Sequence, residues 1–137
     1  MTAKIMTPYG PIHLGVHAAI DWLLVLAGAA GPFALGYADE FWPTAYTFAV
    51  TFIGLGLNAA TDYPGGLVRV MPMRWHQFIE WTSPGPFILA PWLLFPDATG
   101  MKWLLTGIGA AIVLNTALTR KGSRPYENTS SGSSSLP

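Results

Sequence analysis

The hexapeptide HQFIEW, residues 76–81, places a histidine and a glutamate four positions apart at the start of an apolar run. A second hexapeptide of the same pattern, HAAIDW, occupies residues 17–22. Residues four positions apart lie on one face of a helix. Ionisable groups within apolar segments are costly, so they face a protein interior and find partners there. The two stretches therefore predict two helices that meet through four polar side chains. These are His17, Asp21, His76 and Glu80.

The composition is that of a membrane protein. Of the 137 residues, 51% are hydrophobic and 10% are charged, whereas about a quarter are charged in a typical soluble domain. The segments 22–38, 41–61, 81–96 and 103–119 contain no Asp, Glu, Lys or Arg. Since a helix of about 20 residues crosses the hydrocarbon layer of a bilayer, the sequence predicts four transmembrane helices. We expect a multi-pass protein of a prokaryotic inner membrane, with the lipid bilayer as its first partner.

An internal repeat organises these helices. With an offset of 59 residues, the first hexapeptide pattern falls on the second, and Pro32-Phe33 falls on Pro91-Trp92. The sequence therefore predicts an all-α fold, a four-helix bundle built from two helical hairpins repeated in parallel. The predicted segments are an N-terminal cytoplasmic segment (1–11), a first hairpin (12–61), a linker (62–74), a second hairpin (75–119) and a disordered tail (120–137).

The basic residues predict the orientation. Six of the seven lie before the first helix, in the linker or in the tail, which places them on one side of a four-helix bundle. The positive-inside rule assigns that side to the cytoplasm. Both termini and the linker are therefore predicted to be cytoplasmic, and both histidine-bearing helices start from the same face.

Two asparagines extend the polar group. Asn58 and Asn115 occupy corresponding places near the ends of the second and fourth helices, in LNAAT and LNTALT. Together with the two histidines and two acids they form a predicted intramembrane layer of six polar residues. Structural hydrogen bonding between the hairpins is the first interpretation. The alternatives are a proton or ion relay, haem or another tetrapyrrole with His17 and His76 as axial ligands, and a divalent metal held by the histidines and acids. The leading prediction includes no cofactor and no metal.

The linker resembles that of the SPW-repeat family of small prokaryotic membrane proteins. The resemblance rests on Thr61-Asp62-Tyr63, on Arg69-Val-Met-Pro72-Met73-Arg-Trp-His76, and on the histidine–acid start of each hairpin. It covers about residues 12–119. The triplet that names the family is Gly31-Pro32-Phe33 in the first copy and Ala90-Pro91-Trp92 in the second, so its serine is absent from both. The resemblance implies a fold and a membrane location, and no activity.

Catalytic signatures are missing from the sequence. It has no Walker loop, GxSxG, HExxH or CxxC, and no cysteine at all. The net charge of zero gives no field that would draw the protein to nucleic acid. We therefore predict a protein that is not an enzyme, a structural or accessory subunit that packs with itself or with a larger membrane complex. A small carrier or proton-relay protein and a haem- or pigment-binding subunit are the alternatives.

The third helix is predicted to be irregular. Pro84 and Pro86 flank Gly85 in its first half. A proline inside a helix removes a backbone hydrogen bond and clashes with the preceding turn. The sequence therefore predicts a bend or an unwound turn at this point.

Overall fold

The structure, a computed structural model, describes residues 11–119, and all its regular elements over that range are helices. The predicted tail (120–137) and residues 1–10 of the predicted N-terminal segment lie outside the described residues. The elements are α1 (Leu14–Ala34), α2 (Phe41–Ala60), α3 (Met73–Thr82), a π-helical turn (Gly85–Leu89), α4 (Ala90–Leu94) and α5 (Thr99–Leu118). Within the described range there is no strand, so the predicted all-α class is confirmed.

The elements α3, the π-helical turn and α4 follow one another as a third helical rod beside α1, α2 and α5. The π-helical turn lies where the paired prolines predict an irregularity. Since proline has no N–H, Pro84 and Pro86 cannot donate the usual helical hydrogen bonds. At this irregular turn the Pro86 carbonyl accepts a hydrogen bond from the Tyr46 hydroxyl of α2, at 2.7 Å.

Two of the four rods, α1 and α5, are long and apolar enough to cross a membrane by length and composition. The other two predicted spans do not meet the same measure, for physical reasons. The third rod is divided into short elements by its π-helical turn. Helix α2 has the length, but Pro43, Thr44, Thr47 and Asn58 lower its hydropathy.

Polar residues dominate the interior of the described chain, and large apolar residues dominate its surface. Twelve buried residues are polar or charged, against eight buried hydrophobic ones, while twenty-three large hydrophobic side chains are exposed. Soluble domains bury their Leu, Ile, Val and Phe and rarely bury Asp, Glu or Lys completely. This reversed distribution suits surroundings of hydrocarbon.

The ends of the rods are tied together at one end of the bundle. Ile12, just before α1, forms a parallel backbone bridge with Thr119, just after α5. Thr61, just after α2, forms the corresponding bridge with Met71, just before α3. The starts of α1 and α3 therefore lie at the same end of the bundle, and their histidine-bearing first turns stand at one level.

The apolar core occupies the opposite half. Its buried members are Tyr37, Val50, Ala98, Met101, Leu105 and Ile108. Near it, the Lys102 ammonium donates to the Pro96 carbonyl and lies 4.8 Å from the centre of the Trp92 ring. Core and polar cluster thus stabilise different ends of the same four rods.

The repeat-motif residues occupy matching places. Pro32 is buried in the last turn of α1, and Pro91 is buried in the first turn of α4. Their neighbours Phe33 and Trp92 are exposed, and the Trp92 indole donates to the Thr106 hydroxyl at 2.9 Å. The prolines belong to the packing of the bundle, and the aromatics belong to its surface.

Candidate metal centre

Four side chains of the predicted polar layer meet in one cluster, which we call the polar centre: His17, Asp21, His76 and Glu80. The His17 Nε2 atom lies 3.2 Å from Asp21 Oδ2 and 3.4 Å from Glu80 Oε2. The His76 Nε2 atom lies 3.3 Å from Asp21 Oδ2 and 3.1 Å from Glu80 Oε1. Both histidines have no exposed surface. Each imidazole thus faces a carboxylate from each hairpin.

A threonine holds the far side of each imidazole. The Nδ1 atom of His76 lies 2.7 Å from Thr61 Oγ1, and that of His17 lies 2.7 Å from Thr119 Oγ1. Each threonine sits just past the end of its helix and donates its hydroxyl hydrogen to the carbonyl four residues earlier, at 2.6 Å in both cases. Since a hydroxyl has a single hydrogen, each threonine must accept a hydrogen bond from its histidine.

Each carboxylate is also held by a neighbour on α5. The Asn115 amide donates to Asp21 Oδ1 at 2.9 Å and to the His17 carbonyl at 3.2 Å. The Thr116 hydroxyl shares its single hydrogen between Glu80 Oε2, at 2.7 Å, and the Ile112 carbonyl of its own helix, at 2.9 Å. All four side chains of the polar centre therefore have a partner that fixes their orientation, which is the arrangement that surrounds the ligands of metal sites.

The threonines determine which nitrogen of each imidazole faces the carboxylates. Because Nδ1 carries the hydrogen, a neutral imidazole presents the lone pair of Nε2 to the oxygens, and those like partial charges repel. The interior must therefore supply positive charge, either as a proton on each Nε2 or as a cation between them. All four Nε2–oxygen separations are 3.1–3.4 Å. Imidazolium–carboxylate ion pairs and a cation held between the four side chains both account for contacts of this length.

The separations also suit a small metal ion. A tetrahedral zinc ion has ligands at about 2.0–2.1 Å, which sets those ligands roughly 3.3 Å apart. The four nitrogen–oxygen separations of 3.1–3.4 Å are close to that value, although His17 and His76 approach different oxygens of Glu80. One ligand atom from each residue lies within 4.8 Å of the others, so a bound ion would draw the four side chains slightly inward. Two neutral imidazoles, two carboxylates and a divalent cation sum to zero charge, which suits a buried site.

Haem does not suit this geometry. The two imidazole rings are 5.6 Å apart, centre to centre, and both carboxylates approach both Nε2 atoms. Those carboxylates occupy the plane in which a macrocycle would have to lie between two axial histidines. This geometry argues against the predicted alternative of haem or another tetrapyrrole with His17 and His76 as axial ligands.

The linker covers one side of the polar centre. The ring of Tyr63 is buried, with its centre 5.3 Å from that of His76 and 6.2 Å from that of His17. Burial, and then the negative charge of Asp21, raise the pKa of the Tyr63 phenol, so it stays protonated. Gly65 lies directly against α1 and accepts a hydrogen bond from the Trp22 indole at 3.1 Å.

A cavity opens on the other side. Its volume is about 120 Å³, and Asp21, Glu80 and Asn58 form part of its lining. Asn58 is buried but, within residues 11–119, makes no hydrogen bond to either carboxylate, unlike its counterpart Asn115. The predicted six-residue layer is therefore asymmetric: Thr116 donates to the second carboxylate, and Asn58 faces the cavity.

The predicted linker motif divides into residues that reach the polar centre and residues that shape the backbone. Thr61 and Tyr63 contact or cover the imidazoles. Pro72 and Met73 form the start of α3. Asp62 is exposed. Arg69 adopts a positive φ of 55° and donates to the Gly66 carbonyl.

Sequence reasoning missed two participants, Thr116 and Thr119. A signal was present, because LNAAT ends on Thr61 and LNTALT ends on Thr119, three and four residues after their asparagines. Thr116 directly follows Asn115, where the first copy has Ala59 after Asn58, and only the second copy therefore offers a hydroxyl to Glu80.

Comparisons of the chain with protein-family models, with curated proteins and with solved structures find no match. The resemblance to the SPW-repeat family therefore stays a prediction based on the quoted residues. What the polar centre does is argued from its geometry.

Proposed function

We propose that this chain is an integral membrane protein that retains one divalent transition-metal ion at the polar centre. The observation that carries the proposal is the convergence of two buried imidazoles and two buried carboxylates, whose Nε2–oxygen separations are 3.1–3.4 Å. Imidazole and carboxylate together suit Zn²⁺, Fe²⁺ and Mn²⁺.

The proposed role of the ion is to join the two hairpins. His17 and Asp21 come from α1, and His76 and Glu80 come from α3. Four protein ligands fill a tetrahedral site, which is the mark of structural rather than catalytic zinc. This supports the predicted non-enzymatic role. The exposed apolar surface of all four rods supports four membrane spans, with other membrane subunits or a second copy as partners. The basic residues of the linker support an inner membrane with the linker in the cytoplasm.

Elemental analysis tests the proposal directly. The full chain, purified in mild detergent without a polyhistidine tag or chelator, is expected to carry about one transition-metal ion per molecule. The D21N/E80Q double variant should lose it, since amides are poor ligands for these ions. The matched D39N/E40Q variant changes two acids that are exposed outside the polar centre and should retain it.

A chain without metal is the outcome that contradicts the proposal. A wild-type chain that holds no metal as purified, and takes up none from Zn²⁺, Fe²⁺ or Mn²⁺ after chelation, would overturn the proposal. The polar centre would then be a proton-bridged cluster, as the predicted relay alternative requires. Cobalt substitution adds a readout apart from stoichiometry, because tetrahedral Co²⁺ absorbs visible light much more strongly than octahedral Co²⁺.

A further inference from the structure

The cavity beside the polar centre is a lateral groove between α2 and the third rod. Helix α2 packs mainly on α1, with fewer contacts to α5, and the third rod packs mainly on α5. The gap between them is lined by apolar side chains from all four rods. Examples are Leu24, Val25, Val50, Leu57, Phe87 and Ile108.

The inner end of the groove is polar. Asp21 and Glu80 line it, whereas neither histidine does. Ser83 also lines it, and its hydroxyl makes no hydrogen bond although the residue is only 7% exposed. An unpartnered buried hydroxyl is costly. A molecule in the groove that offers one donor and one acceptor would satisfy both the carboxylate and Ser83.

The outer end of the groove is apolar. Ile53 lines the groove and is 68% exposed, and its neighbour Phe52 is exposed as well. The lining contains no lysine or arginine. A molecule that enters here therefore arrives through hydrocarbon and meets charge only at the inner end.

We propose that the groove binds a lipid-soluble molecule with an apolar body and one neutral hydroxyl head. The hydroxyl donates to a carboxylate and accepts from Ser83, whereas an ionised carboxylate head has no hydrogen to donate to either acid. The volume of about 120 Å³ is close to the ~150 Å³ of an engineered apolar cavity that holds benzene. The cavity therefore holds a phenol ring or the first carbons of an alcohol, and the remainder of the molecule lies in lipid. The inference does not depend on the metal, since the carboxylates accept hydrogen bonds with or without it.

Photolabelling tests the groove in the full chain, reconstituted in phosphatidylcholine nanodiscs. The probes are a fatty alcohol with a diazirine near its head, the matching fatty acid and the matching hydrocarbon, and labelled residues are mapped by mass spectrometry. We expect the alcohol to label segments 50–57 and 79–87 at least several-fold more than the hydrocarbon does. Unlabelled farnesol and 4-nonylphenol, added in turn as competitors, separate an isoprenoid alcohol from a ring-bearing phenol.

Two glycines of α2 give a matched pair of variants. Gly54 lines the groove, and a Cβ there would meet only Val25, at 3.8 Å. Gly56 is exposed, with nothing within 4 Å of such a Cβ, and is not part of the lining. G54F should abolish the excess labelling and G56F should retain it, with circular dichroism showing both folded. S83A should weaken it several-fold.

Three outcomes would overturn the inference. They are equal labelling by alcohol and hydrocarbon, stronger labelling by the fatty acid than by the alcohol, and equal labelling of G54F and G56F. None of them bears on metal content. Loss of the groove and loss of the metal are therefore distinguishable.

Discussion

Two threonine hydroxyls decide the chemistry of the polar centre, although neither faces its middle. Thr61 and Thr119 each donate their hydroxyl hydrogen to a backbone carbonyl, so each can only accept a hydrogen bond from an imidazole. That sets Nδ1 as the donor and leaves Nε2 of each histidine to face the acids. Partners of this kind typically change metal affinity 10- to 100-fold when removed.

Replacing Thr61 by valine tests this assignment. T61V keeps the shape of the side chain but removes the acceptor for the His76 Nδ1 hydrogen. We expect metal affinity to fall about 10- to 100-fold, measured by competition with a chelating dye. T106V, which removes a hydroxyl that accepts from the Trp92 indole, should leave affinity unchanged. Equal affinities of T61V and wild type would show that the threonine does not orient the imidazole.

The four residues of the polar centre and the Asn115 partner of Asp21 could be predicted from the sequence, whereas the threonine contacts to the imidazoles could not. Spacing alone puts His17 beside Asp21 and His76 beside Glu80, and the offset of 59 puts the pairs at one level. The contact between His17 and Thr119 depends on how the end of α5 meets the start of α1. A one-residue difference between the copies decides that register, and helical periodicity does not report it.

At the scale of elements, the linker acts as a close-fitting cover. Its backbone folds back on α2, with Leu67 and Val68 donating to the Ala59 carbonyl and Val70 and Met71 donating to that of Ala60. Gly66 makes this possible, because a Cβ at that position would lie 1.7 Å from the Thr61 carbonyl oxygen. The same peptide segment carries the threonine that holds His76.

Replacing Gly66 by alanine should therefore loosen the cover. The clash is with backbone and cannot be relieved by a side-chain rotation, so we expect G66A to destabilise the protein by about 1–3 kcal/mol and to release metal faster to a chelator. Chemical unfolding in mixed micelles measures the first effect. G107A, at a position in α5 with nothing within 4 Å of the added Cβ, should be neutral. A G66A protein as stable as G107A would contradict this account of the linker.

The irregular third rod shows where element-level prediction ends. Pro84 and Pro86 predict an interruption because of their missing hydrogens, and the π-helical turn Gly85–Leu89 lies there. The groove beside it could not be predicted. It results from the separation between two rods that each pack elsewhere, and no local pattern in either rod encodes that separation.

For the molecule as a whole, the two bridges at the rod ends decide the topology. They place the linker at one end of the bundle and the connections 35–40 and 95–98 at the other. If the rods cross a bilayer, Asp39 and Asp97 face one side and Asp62 faces the other. The basic residues of the linker predict that Asp62 faces the cytoplasm.

Cysteine labelling can test this arrangement without background, since the chain has no cysteine. Asp39, Asp62 and Asp97 are all exposed. A membrane-impermeant maleimide added to intact cells should label D39C and D97C and spare D62C, while inverted vesicles should give the reverse. Labelling of D39C and D62C from the same side would rule out four crossings.

The sequence predicts the four rods of the architecture more fully than it predicts which of them cross the membrane. Charge-free segments predict all four rods, and the structure has them. Composition alone singles out only α1 and α5 as spans, because the polar residues of α2 and the prolines of the third rod weaken the signal. Of these residues, Asn58 and Pro86 line the groove, whereas Thr44 and Thr47 hydrogen-bond to Tyr37.

The crossed pairing of threonine and imidazole has a consequence for how such a protein can be built. His17 of the first hairpin relies on Thr119 of the second, and His76 of the second relies on Thr61 of the first. Neither hairpin contains a complete threonine–imidazole pair. A gene cut after the linker would therefore yield two fragments that bind metal only after they reassociate. By the same logic, a single hairpin pairing with its own twin would reproduce the two threonine–imidazole pairs, which makes duplication and fusion a direct route from a symmetric dimer to this chain.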